Sequence, residues 1–369
     1  MKRLFSFVFK KLPIRRSVAD NNLHLLNNRE VRAVQKLETT AVIVAAIVGM
    51  NGVLLLYLPQ YWFPTWFPIT HIGLFGLSIA VSVPAIIFGV ILSFVEVYLL
   101  FLLNLYCAHE IAVATGFLTK QTKADTLRSD MLLDISLEKK NKEILRFGID
   151  PYQGLSKQTI LLFSVLFSLK ATLSNVAVRL VMSRLLGRYA VREVLDLAGI
   201  PIFAFWNAIA VKVVLREARV VIMGQNLIEL LLNRIPPALS LSASEQHLLY
   251  DTLQFIAICK RDYHRNHYYL TNRLLQRFEI TPKQKHILSK DYMEQLKTAS
   301  PAFANLCKIL ILTGLLLDGE LSAREHKRLD TLRQQGVLDE TYAQMKKLTR
   351  DFYNGKGIEV LMEKYLGQV

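Results

Sequence analysis

TTAVIVAAIVGMNGVLLLYL, residues 39–58, runs for twenty residues without a charge. At 1.5 Å per residue, a helix of that length covers the ~30 Å hydrocarbon layer of a bilayer. The stretch predicts a spanning helix, and the layout of the chain follows from what lies on either side of it. A second run, IGLFGLSIAVSVPAIIFGVILSFV at 72–95, predicts a partner helix that Pro84 bends. Between them, PQYWFPTWFPITH (59–71) is rich in aromatics and proline and has no Lys or Arg, as an interfacial loop would.

Charge orients this hairpin. Residues 1–40 carry nine Lys or Arg against three acids, the connecting loop carries none, and Lys120, Lys123 and Arg128 follow the second run. Basic residues stay on the cytoplasmic side, so both termini are expected there. The opening MKRLFSFVFKKLPIRR has too short an apolar run for a cleaved signal and reads as an interfacial basic segment over 1–38. Formal net charge is +15. No nucleic-acid motif accompanies it, so the expected partner surface is anionic lipid rather than nucleic acid. Cys107, Cys259 and Cys307 make no CxxC pair and read as small buried hydrophobes.

The second apolar run continues inward to residue 119, carrying Glu96, Asn104, His109 and Glu110. A carboxylate in lipid is costly, so Glu96 should face protein or water, paired near the cytoplasmic end. His109-Glu110 begins like a zincin HExxH, but Val113 stands at the fifth position and the motif fails. Residues 120–236 read as a helical, membrane-associated region. Leu127, Met131, Ile135, Ile144 and Leu145 mark an amphipathic helix, which GIDPYQGLS then breaks. Residues 159–169 and 197–211 are apolar but short for spanning, and crossing would place Arg184, Arg188 and Arg192 outside. Half-inserted or interfacial helices are therefore expected. Lys170, Arg184, Arg188 and Arg192 share an arc of roughly 80° on a helical wheel, a basic stripe suited to anionic headgroups. Arg179 lies opposite it and needs an acidic partner such as Glu96, Glu193 or Asp196, while Asn207 joins Glu96 as a polar group in apolar surroundings.

From 237 to 369 helix start signals recur. Ser242–Glu245 and Ser322–Glu325 are spaced as capping boxes, and Thr281-Pro282 and Ser300-Pro301 place a cap before a first-turn proline. The expected core includes Leu249, Leu253, Ile256, Leu274, Leu306, Ile309, Leu310, Leu312, Leu316 and Leu329. The fold class is all-α: a two-helix transmembrane hairpin, a cytoplasmic membrane-associated helical region, and a C-terminal helical bundle.

Two resemblances follow from these stretches. LLGRYAVREVLDLAGIPIFAFWNAIAVKVVLREARVVIMG (185–224) is similar to an uncharacterised bacterial membrane-protein family. Its G-x-P-x-F…N pattern resembles the EcsC-like proteins, over roughly 95–230. LLLDGELSAREHKRL (315–329) resembles the signature of the TerB-like tellurite-resistance helical domain, with FIAICKRDYHRNHYYLTNRLL (255–275) as its first half and Asp262 matching Asp318. The first resemblance implies membrane association and no reaction; joined to the hairpin, the second suggests a bacterial inner-membrane protein with a role in envelope or oxyanion stress. It also implies a metal ion at the acidic turn, held by Asp318, Glu320 and Glu325, whose hard oxygens suit a divalent cation such as calcium. The first-half turn departs from the pattern, placing Lys260, Arg261, His264 and His267 where acids would stand. The residues alone offer another account, since Glu325 also completes the Ser322 capping box and Gly319 stops a helix. A transition-metal site on His264, His267 and an acid is a further alternative.

Nucleophile elbows and nucleotide loops are absent from the sequence. The expected function is a non-enzymatic membrane protein that presents its helical domain to a protein partner, to a second copy or to the membrane surface. The alternative is an oligomeric transporter or ion channel lined by Glu96, Asn104, Asn175, Arg179 and Asn207. A lipid hydrolase comes third and would need a cleft gathering His109, Glu110 and a nucleophile.

Overall fold

The structure, a computed structural model, describes residue 12 and residues 26–74, 77–118, 147–153, 199–237, 239–261, 263–355 and 358–367. Among these the fold is helical apart from one short hairpin. Lys170, Arg179, Arg184, Arg188 and Arg192 lie outside the described residues, as does Asp262.

Helix α1 spans Asn28–Trp62 and α2 spans Val83–Ala114, 35 and 32 residues. Each is therefore about 50 Å long, and both are long and apolar enough to cross a membrane. The Asn27 side chain starts α1 by accepting the N–H groups of Arg29 and Glu30, and the Glu30 carboxylate accepts the Asn27 N–H in return at 2.8 Å.

The second helix starts at Val83 and not at Ile72. Residues 70–81 instead pair as an antiparallel hairpin, β1 (Thr70–Leu74) against β2 (Leu77–Val81), with Thr70 opposite Val81. Large apolar residues alternate with Gly73, Ser78 and Ala80 through this stretch, a period of two that outweighs its hydrophobicity as a helical signal. Pro84 then initiates α2 and does not bend it, because the first turn has no use for its missing N–H.

Helix α3 spans Gly199–Arg234 and lies antiparallel beside α1. A Cβ on Gly49 would come within 2.7 Å of the Phe203 carbonyl and the Asn207 amide, and Arg219 meets Glu38 twelve residues further along α3. The buried stripe of α1 is made of small residues, Ala41, Ala45, Gly49 and Gly52, which permits this approach. The outward faces are the reverse of a soluble protein's. Ile43, Ile47 and Leu55 of α1, Ile87, Ile91 and Phe94 of α2, and Ile202 and Phe205 of α3 are all exposed.

The remaining helices form the C-terminal module: α4 (Ala243–Lys260), α5 (Arg265–Arg277), α6 (Tyr292–Thr298), α7 (Pro301–Leu316), α8 (Ala323–Gln334), α9 (Tyr342–Tyr353) and α10 (Glu359–Leu366). All ten expected core residues are buried, as are the three free cysteines. The Ser242–Glu245 and Ser322–Glu325 capping boxes are present. No helix follows Thr281-Pro282, because the backbone of that segment bonds elsewhere. The Lys283 N–H donates to the Tyr250 hydroxyl and the His286 N–H to the Gly148 carbonyl.

Module and long helices are joined at several points. The Leu26 N–H donates to the Gly355 carbonyl at 3.2 Å. Arg219, 1% exposed, sends its guanidinium to both Glu38 oxygens at 3.1–3.2 Å and stacks 4.3 Å above the Tyr353 ring. Segment 147–153 also packs on the module. Gln254 exchanges two hydrogen bonds with the Asp150 backbone, and Arg261 donates to the carbonyls of Pro151 and Gln153.

Candidate functional site

Three polar constellations among the described residues bear on function. The first is the acidic turn after α7, which already holds a cation, the ammonium of Lys260. Its Nζ, on a side chain 1% exposed, contacts Asp318 Oδ1 at 2.7 Å, the carbonyls of Leu315 (3.1 Å) and Glu320 (3.2 Å), and Glu325 Oε1. Its three N–H groups are taken by Asp318, Leu315 and Glu320, and the Glu325 carboxylate pairs with it by charge. Helix α4 delivers the lysine from its last turn. Gly319, at φ +69°, turns the chain so that the oxygens converge.

The expected metal set is thereby redistributed. Asp318 and Glu325 face the shared centre, but Glu320 contributes its backbone oxygen while its carboxylate reaches Arg216 at 3.1 Å on the surface. Glu325 does both of the jobs its position suggested, since Oε2 accepts the Ser322 N–H at 2.6 Å and Oε1 faces Lys260. A divalent ion here would have to displace a covalently attached ammonium.

The alternative on His264 and His267 meets a similar obstacle, for both rings are fully used. His267 Nδ1 accepts the His264 N–H at 3.1 Å and Nε2 donates to the Gly314 carbonyl at 2.7 Å, which fixes the neutral tautomer. Burial holds this ring's pKa down at about 3. His264 Nδ1 accepts the Asn266 N–H and so caps α5, leaving Nε2 to bond Glu217 at 2.9 Å. Burial disfavours a charge on His264, but the Glu217 carboxylate outweighs it and raises the pKa. A second proton would have to enter at Nδ1, so charging His264 competes with capping α5. Burial raises the Cys259 and Cys307 thiols to about 12, which leaves neither a thiolate nucleophile near neutrality.

The second constellation lies among the long helices. Asn207 Nδ2 donates to Glu96 Oε1 at 2.7 Å, and both residues are buried, 0% and 2% exposed. Glu96 therefore meets α3 at the level of Gly49, in the middle of the α1 apolar stretch and away from the basic end of α1 near which it was expected. Asn104 and His109 are buried further along α2, and Glu110 lies 3.6 Å from His109. Among the described residues no hydrogen bond links Asn104 or Glu110 to the Glu96–Asn207 pair.

The third centres on Asp251, which the sequence reading had not singled out. Its Oδ1 accepts from His286 Nε2 at 2.8 Å and its Oδ2 from the Ser289 hydroxyl at 2.6 Å. Burial opposes ionisation of Asp251, but the bonds from His286 and Ser289 hold its pKa below the usual carboxylate value. His247 stands one helical turn before it, with Nε2 3.9 Å from Oδ2. The serine bonds the acid directly, so this is not the relay of a serine hydrolase, in which a histidine stands between them. The signal that could have revealed the site is the i, i+4 pair His247/Asp251 on α4, completed by a distant loop. Comparison of the chain with protein-family models, with curated proteins and with solved structures found no match in any of the three.

Proposed function

We propose that this is a non-enzymatic membrane protein whose three long helices carry a TerB-like helical module on the cytoplasmic face of a bacterial inner membrane, presenting it to a protein partner. The observation that carries the reading is the combination of an apolar exterior on α1, α2 and α3 with a polar pair, Glu96–Asn207, turned inward. Water would select the opposite arrangement, whereas lipid accepts it. Exposed Lys212 sits five residues beyond Asn207 toward the module, where a long stem can snorkel to the headgroups. The Leu26–Gly355 bond supports a topology with the base of α1 and the module on one side. The basic flanks favour the cytoplasm as that side.

Presentation is favoured over catalysis because the turn that would hold a metal in TerB relatives is filled by Lys260, and because the Arg219 junction mounts the module firmly on the helices. A task in envelope or oxyanion stress rests on the resemblance alone. The test is photo-crosslinking in cells from exposed Lys327 of α8, together with tags at both termini. A stoichiometric crosslinked protein and tags shielded from outside are expected. Extraction without detergent, or an outward carboxyl terminus, would overturn the reading. Ion flux in liposomes lost on Glu96→Gln would transfer the function to a transport path through the Glu96–Asn207 pair.

A further inference from the structure

The Asp251 constellation has the composition of a transition-metal site. Helix α4 places His247 and Asp251 one turn apart on one face, and the irregular segment 281–290 brings His286 against them. One ligand atom from each lies within 4.8 Å of the other two. Tetrahedral zinc with bonds of about 2.0–2.1 Å needs ligand atoms roughly 3.3 Å apart. His286 Nε2 lies 2.8 Å from Asp251 Oδ1 and His247 Nε2 3.9 Å from Oδ2, values on either side of that spacing, so a shared metal needs rotations that bring both rings onto one carboxylate.

Exposure is graded as an open site requires. Asp251 and His286 form a floor 0% and 3% exposed, while His247 is 51% exposed at the mouth. The Ser289 hydroxyl, 3.5 Å from His247 Nε2, lines the same opening. Two imidazoles and one carboxylate favour zinc over calcium, which prefers an all-oxygen shell.

The geometry also supplies a competitor. The Lys283 ammonium lies 3.2 Å from His247 Nδ1 and 3.5 Å from His286 Nδ1, and sits over the Tyr250 ring. An ammonium can only donate, so a neutral His286 carries its proton on Nε2, the atom it gives to Asp251. A metal taking Nε2 requires that proton to pass through solvent to Nδ1, and Lys283 must then swing away from a ring that has become a donor. No net proton is released from the ring.

We propose that His247, Asp251 and His286 form a zinc-binding site with solvent in the fourth position, and that Lys283 is its built-in antagonist. The site is independent of the presentation reading above and would stand if that reading failed.

The test uses the full chain in detergent, stripped with a chelator and titrated with Zn2+ by calorimetry and with Co2+ by visible absorption. One equivalent should bind, with the strong absorption of tetrahedral cobalt, bleached by added zinc. His247→Ala should weaken binding by at least about tenfold and abolish the tetrahedral spectrum, whereas Lys283→Met should tighten binding. Because His247 is half exposed, the variant should keep its circular dichroism; if it does not fold, His247→Gln carries the same comparison. Absence of saturable uptake by the unmodified chain would overturn the site, as would uptake that the His247 variant leaves unchanged or a weak octahedral cobalt spectrum. Asp251 would then be a hydrogen-bonded brace for segment 281–290 only.

Discussion

At the level of single residues, the buried carboxylates Glu325 and Glu340 each face an ammonium of the same chain, Lys260 and Lys364. Lys260 is the clearest case. Lys260→Met leaves Asp318 and Glu325 facing one another, and breaking a buried pair on one side costs about 3–5 kcal/mol. The expected result is a large drop in unfolding midpoint that millimolar Ca2+ partly restores in the variant and does not affect in the parent. His267 makes a pH prediction. Its folded pKa of about 3 lies below the ordinary value of 6.5, so the unfolded chain takes up the proton first and stability falls as pH drops below 6.5. Between pH 7 and pH 5 the loss from this ring is about 2 kcal/mol. His264 acts in the opposite sense, because its raised pKa adds stability toward acid. The check is therefore the difference between the parent and His267→Gln in denaturant titrations at the two pH values.

Among the elements, hydrophobic runs and capping pairs revealed most of what was legible in the sequence. The α1 span, the capped starts of α4 and α8, and the buried leucines of α7 all follow from local pattern. What local pattern missed was decided by distant partners. The segment after Thr281 fails to coil because Tyr250 and Gly148 take its N–H groups, and no window of sequence contains those contacts. The 70–81 hairpin was hidden by its own hydrophobicity, since a run read for length conceals a period of two. His264, in sequence only an alternative metal ligand, caps α5 instead, as a histidine nitrogen can in place of an oxygen. The close α1–α3 approach yields a prediction at this scale. Gly49→Val forces a side chain against the Phe203 carbonyl and should lower the thermal midpoint in detergent, by about 1–3 kcal/mol in stability. Met50→Val, on the exposed face, should leave it unchanged.

For the whole molecule, the junction at Arg219 decides whether the long helices and the module behave as one body. Arg219→Met strands Glu38 and loosens the Tyr353 contact, so protease sensitivity should rise at residues 235–242, between α3 and α4. Pairing it with Glu38→Met should recover part of the loss, since removing both charges costs less than removing one. Closure between Leu26 and Gly355 bears on the order of assembly. The base of the first helix cannot close on Gly355 until the chain has been made through α9. On the reading proposed above, the long helices can therefore enter a bilayer while the surface that will clasp the first of them is still unmade, and a product truncated before Gly355 would keep its apolar helices yet lack that clasp.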